Sequence, residues 1–120
     1  MSDAATSKPA TPSAEDAKLV TLARAARARS GASEGAAVRD GDGRTYAGSA
    51  VALPSLSLTA LQFAVASAVN GGTGTIEAAA VVTESDSLDA VGRSAVRDVS
   101  PGAPIHVASP AGDVLATYAD

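Results

Sequence analysis

Between Leu58 and Val69 the chain carries no charged residue, and the polar side chains there are Thr59, Gln62 and Ser67. The stretch beginning at Pro54-Ser55 and continuing through "LSLTALQFAVASAVNGG" reads as a helix running into a glycine stop. Thr59 and Gln62 have the spacing of a capping box, and Asn70-Gly71 supplies the C-terminal signal. A surface helix of a small soluble protein keeps a polar stripe toward water. This one has almost none, so protein must cover it on most sides.

The rest of the composition limits what can do the covering. Apolar residues make up 46% of the 120 residues but aromatics only 2%, so the core must be built from Ala, Val, Leu and Ile. A domain of this size buries roughly two-thirds of its unfolded surface. A core of small side chains is thin, and subunit contacts would add to it. The net charge of −4 opposes electrostatic binding to nucleic acid, which needs clustered Lys and Arg. The absence of Cys excludes disulfides, thiolate nucleophiles and Cys-ligated metal. No apolar run approaches the ~20 residues of a membrane span, so no membrane partner is expected. The opening "MSDAATSKPATPSAED" lacks the apolar core of a signal peptide, and the expected location is the cytoplasm. Residues 1–14, rich in Ser, Thr, Pro and Ala, are expected to be a disordered tail. Residues 15–120 are expected to form one domain.

"SAEDAKLVTLARAARARSG" reads as a helix. Ser13 caps it, Glu15 and Asp16 sit in its first turn, and Arg24, Arg27 and Arg29 lie toward its end, an order that suits the helix dipole. Leu19, Leu22, Ala23 and Ala26 form its apolar stripe, and Gly31 ends it. The arginines read as a solvated face, with an anion patch as the alternative. Next comes a hairpin, with strands at Ala36–Arg39 and Thr45–Leu53 joined by "DGDG". Asp40 and Asp42 resemble the start of a calcium loop, but the remaining ligands do not follow. "GGTG" lacks the Lys-Ser/Thr of a phosphate loop and follows a helix, so it reads as a linker. "TIEAAAVVTES" is a buried strand. "DSLDAVGRSAVRDVSPG" is a third helix, with Leu88, Val91, Ala95 and Val99 inward and Arg93, Arg97 and Asp98 mainly outward. "APIHVASPAGDVLATYAD" gives two strands joined by a turn at 110–113. The order α-β-β-α-β-α-β-β implies an α/β fold of three layers around a mixed sheet of about five strands. Its strand–helix–strand steps favour parallel pairing.

The residues "EGAAVRDGDGRTYAGSAVAL…LTALQFAVASAVNGG…IEAAAVVTES…AVGRSAVRDVSPGAPIHVASPAGDVLATY" are similar to cytidine deaminases of the small free-nucleoside type, over about Leu19 to Tyr118. The likeness lies in element order and framework: a Gly-Ala strand, Asp-Gly-Arg, a central helix, an apolar strand, a third helix and a final pair of strands. It implies a cytidine-deaminase-like fold.

Deaminases of that superfamily hold zinc through one His or Cys and two Cys, while a Glu moves protons. The resemblance places the first ligand and the Glu at Thr59 and Leu61, around Ala60. It places the two later ligands at Asp89 and Gly92, followed by a matching Arg93. The ribose-binding Asn-x-Glu of the family falls on Ala50-Val51-Ala52. Thr59 and Asp89 alone are too few to hold zinc and lower the pKa of its water, and Gly92 offers no side chain. No metal, cofactor or catalytic residue is therefore expected. Thr59, Leu61, Asp89, Gly92 and Arg93 are expected to line a degenerate pocket. His106, the only His, reads as structural or at a sheet edge because a base needs a positioned partner and none is evident in sequence. Asp86 and Asp89 read as first-turn helix acids.

The resulting expectation is a catalytically inactive scaffold or partner-binding protein, a homo-oligomer of two or four subunits. The resemblance places partner subunits against the charge-free helix. The alternative is a module that binds a nucleoside or nucleotide without turnover. A working cytidine deaminase is the third and least supported reading.

Overall fold

Helix α1 (Ala14–Ser30) starts where its cap is. The Asp16 N–H donates to Ser13 Oγ at 3.1 Å, and Gly31 ends the helix in the left-handed region at φ 69°, where glycine has no Cβ to clash. This computed structural model describes residues 5–6 and 12–120. Most of the expected tail therefore lies outside the described residues. Ala5–Thr6 form a two-residue strand, β1, paired antiparallel with the last strand.

The main strands are β2 (Gly35–Asp40), β3 (Thr45–Ser49), β6 (Ile76–Val82), β7 (Ile105–Ala108) and β8 (Val114–Tyr118). They lie in one mixed sheet in the order β1-β8-β7-β6-β2-β3. A separate hairpin joins β4 (Val51–Leu53) to β5 (Leu56–Leu58). Helices α2 (Ala60–Asn70) and α3 (Ala90–Val99) complete the chain. The α/β class and the mixed sheet are as expected.

The sheet's two faces carry two cores. On one, α1 sets Leu19, Val20 and Ala23 against Ala37, Ala78, Ala80, Val82 and Ala108. On the other, Ala60, Leu61, Ala64, Val65 and Ala68 of α2, with Val96 of α3, meet Ala36, Val38, Ala79, Val81 and Ile105. Small residues dominate both, so the layers sit close. A Cβ on Gly35 would run into the Ala23 carbonyl oxygen and stand 2.7 Å from Arg27 N.

Several expectations need correction. Helix α3 begins only at Ala90, with Asp89 as its cap and Asp86 and Leu88 ahead of it, so neither acid lies in its first turn. The strand expected over Thr45–Leu53 ends at Ser49, and Val51–Leu53 pairs with Leu56–Leu58 instead. The residues before Thr59 are therefore strand, and the helix begins only at Ala60. The helical step from β3 does not give a parallel neighbour: β6 pairs antiparallel with β2, and only β6 and β7 are parallel. Val91 points outward and is 53% exposed, because the buried face of α3 is Gly92 and Val96, flanked by Leu88, Ala95 and Val99. Arg97 is half-buried, donating to the carbonyl oxygens of Ala103 and Tyr118.

Candidate functional site

The parallel strands β6 and β7 run to the edge where an open α/β sheet ordinarily binds ligands, outside the carboxyl ends of its strands. The chain leaves β6 at Val82 and enters α3 near this edge, beside the start of α2. Four of the five expected pocket residues lie at these two helix starts.

Thr59 caps α2. Its hydroxyl accepts from Gln62 N–H at 3.1 Å, and the Gln62 side-chain carbonyl accepts from Thr59 N–H at 3.0 Å, which completes the capping box. Asp89 caps α3 in the same way: its Oδ2 accepts from Gly92 N–H at 2.6 Å. The other oxygen, Oδ1, is buried without a hydrogen-bond partner among the described residues. Leu61 is fully buried. A Cβ placed on Gly92 would lie 2.9 Å from Leu61 Cβ and would collide with Asp89 Oδ2. Leu61, Asp89 and Gly92 therefore meet directly.

Arg93 does not join them. Its guanidinium lies 5.1 Å from the centre of the Tyr118 ring and pairs with Asp120. Ala50 and Ala52, at the ribose positions, bring only methyl groups, and Ala52 sits on the β4–β5 hairpin rather than on the main sheet.

These residues do not fit a zinc ion. The Thr59 hydroxyl is committed to its helix, Asp89 offers one unengaged oxygen, and neither a thiolate nor an imidazole stands beside it. No room exists for a side chain at 92 without displacing Leu61 or Asp89. Among the described residues no three His, Cys, Asp or Glu side chains are grouped so as to hold a metal.

On the opposite face lies a polar cluster that sequence reasoning missed. His106, on the interior strand β7, is buried. Its Nε2 donates to Asp16 Oδ2 at 2.8 Å, and its Nδ1 hydrogen-bonds Thr117 Oγ1 at 2.9 Å. Arg39 donates to Asp16 Oδ1 at 2.9 Å and to Glu77 Oε1 at 2.9 Å. The imidazole has an acid on one side and a hydroxyl on the other, so the expectation that it has no partner is corrected. Strand β7 is interior, so the edge position is corrected too; the cluster links the first turn of α1 to strands β2, β6, β7 and β8. Burial pushes the Asp16 carboxyl up, but the hydrogen bonds from His106 and Arg39, and their charges, outweigh it and hold it below the usual carboxylate range.

A cavity of about 360 Å³ opens between α1 and the β7–β8 turn, lined by Val20, Arg24, Asp113 and Val114 among others. It includes neither the five expected pocket residues nor His106.

Comparison with known proteins agrees with the fold. The family model described as cytidine deaminase-like matches residues 12–112. The crystal structure of cytidine deaminase from Burkholderia pseudomallei is similar, with 27% identity and a TM-score of 0.74, covering 84% of this chain and 90% of that one. The structure of cytidine deaminase from Mycobacterium leprae shares the fold at 22% identity and a TM-score of 0.62, over 82% of this chain and 91% of that one. Among curated proteins none matches.

Proposed function

The chain belongs to the cytidine deaminase-like family, and within it we propose a non-catalytic member that acts as an oligomeric scaffold. One observation carries this reading. At the corner between α2 and α3, the positions that would hold metal and move protons are a helix cap, a buried leucine, a second cap and a glycine with no space for a side chain. Deamination in this superfamily needs a metal-activated water and a carboxylate to shuttle protons. This corner supplies neither the ligand set nor the Glu.

The oligomeric part rests on exposed apolar side chains of the β4–β5 hairpin and of the far end of α2. From Thr45 to Ile76 there is no Asp, Glu, Lys, Arg or His. Within this span Leu53 is 59% exposed, Leu56 49% and Val69 50%. Leu53 and Leu56 stand opposite each other on the hairpin, and neighbouring exposed apolar side chains in a charge-free span suit an association surface. A second copy fits it, because two neutral faces meet without the like-charge repulsion that a chain of net charge −4 would otherwise bring.

Light scattering at micromolar concentration is expected to give the mass of a dimer or tetramer; a monomer would contradict the oligomer. Calorimetry with cytidine, deoxycytidine and their nucleotides separates the scaffold from a nucleoside-binding module. The scaffold gives no binding heat. Saturable binding without turnover would replace it with the binding module, and turnover would overturn both.

A further inference from the structure

The positions corresponding to the metal ligands lie on two different helices, Thr59 on α2 and Asp89 and Gly92 on α3. A metal bound there would tie those helices together. We propose that this corner is a metal-independent joint, in which Gly92 lets α3 rest directly on Leu61 while Thr59 and Asp89 each cap their own helix. This rests on the reading of the corner as non-catalytic and adds what replaces the metal.

The geometry makes Gly92 more than a lost ligand. At an ordinary helical position, replacing glycine by alanine gains stability by removing freedom from the unfolded chain. At Gly92 the added methyl would stand 2.9 Å from Leu61 Cβ. That atom is fixed to the α2 backbone and cannot swing aside as a side-chain tip would. The methyl would also press on Asp89 Oδ2, the acceptor that caps α3. Either the helices separate or the cap opens, and interiors packed near crystalline density resist both. Leu61 is fully buried in the same core as Val96 of α3, so the contact continues into the hydrophobic layer. Each helix start has one N–H satisfied by its own cap side chain, Gln62 by Thr59 and Gly92 by Asp89.

The test is thermal unfolding of the full chain, of Gly92→Ala, and of Ser94→Ala, an exposed position on the same helix, each in a zinc-chelating buffer and with added zinc. The unmodified chain is expected to melt at the same temperature in both buffers. Ser94→Ala is expected to melt at or above it, and Gly92→Ala lower by about 5 °C or more. A chelator-dependent fall of the unmodified chain would overturn the joint, and so would a Gly92→Ala chain that melts higher, as an ordinary helical glycine predicts. If Gly92→Ala does not fold while Ser94→Ala does, the direction is as proposed, and the chelator arm still decides. Deamination by a chain whose melting ignores metal would overturn the proposed function and leave the joint standing. Chelator-sensitive melting without deamination would overturn the joint alone.

Discussion

Asp16 and His106, 90 residues apart in the chain, are joined by a hydrogen bond of 2.8 Å between Oδ2 and Nε2. The same carboxylate accepts from Arg39 at 2.9 Å. One side chain in the first turn of α1 thus holds the helix to strands β2 and β7. It serves as a favourable charge for the helix dipole and as an anchor in the sheet.

That anchor gives the protein an acid-sensitive component. Burial raises the Asp16 carboxyl, but the bonds and charges of His106 and Arg39 outweigh it and hold it below the usual carboxylate range. Asp40 behaves alike: burial raises it, while the Tyr46 hydroxyl and the N–H groups of Arg44 and Asp42 bring it lower. A carboxyl depressed on folding leaves the unfolded chain binding more protons, so stability rises with pH across that interval. The contribution is complete above the unfolded value and is lost as pH falls through the folded one. Urea midpoints measured from neutral to acid pH are expected to fall below about pH 4. Asp16→Asn is expected to lower the neutral-pH midpoint and flatten that acid fall.

Gly35 fixes the distance between α1 and the sheet. A methyl there would meet the Ala23 carbonyl oxygen and Arg27 N, both backbone atoms of α1. Backbone cannot rotate out of the way, so the helix must lift. Gly35→Ala is expected to cost about 3 kcal/mol, at the upper end of overpacking penalties. Chemical denaturation measures it, and an unchanged midpoint would show that α1 tolerates the shift.

The α2 cap is self-contained and is expected to behave as an ordinary helix cap. Thr59→Ala removes the acceptor for Gln62 N–H and is expected to cost about 1 kcal/mol, read as a lower urea midpoint. The same loss is expected in zinc and in chelator, since the hydroxyl serves the helix rather than a metal. A zinc-dependent difference would contradict that assignment.

The charge-free surface predicts how assembly can be broken. Glu at both Leu53 and Leu56 places two carboxylates on the β4–β5 hairpin, where the native side chains are exposed. Buried in a contact between copies, unpaired charges are strongly unfavourable. Leu53→Glu/Leu56→Glu is expected to reduce the solution mass to that of the monomer with an unchanged circular dichroism spectrum. An unchanged mass would move the interface elsewhere.

The helix caps at Ser13, Gly31 and Thr59 are legible in sequence because their determinants are local. Ser13, Gly31 and Thr59 with Gln62 are all within a turn of the backbone groups they satisfy, whereas Asp89, which reads as a first-turn acid, is the cap that precedes α3. The apolar strand at Ile76–Val82 was equally clear from its unbroken run of small aliphatic residues. Non-local pairings were not. Nothing near His106 in sequence points to Asp16, since folding alone brings a helix turn over strand β7. The β4–β5 hairpin was hidden because Val51–Leu53 continues an apolar strand pattern and Leu56–Leu58 merges into the helix ahead. Only the Pro54-Ser55 turn between them signals the reversal. In α3, helical spacing with Leu88, Ala95 and Val99 points Val91 inward, yet the neighbouring Gly92 takes the inner position, where close contact with Leu61 leaves no room for a Cβ. At the site, residue types showed which chemical groups are missing. Only the structure showed that the space they would need is already filled.

Whether the protein deaminates tests its non-catalytic character most directly. Purified chain, supplied with zinc, would be incubated with cytidine and deoxycytidine while ultraviolet absorbance is followed. The account predicts no absorbance loss above that of buffer at any protein concentration. Sustained loss that scales with protein, persists through successive purification steps and releases ammonia in equal amount would contradict it.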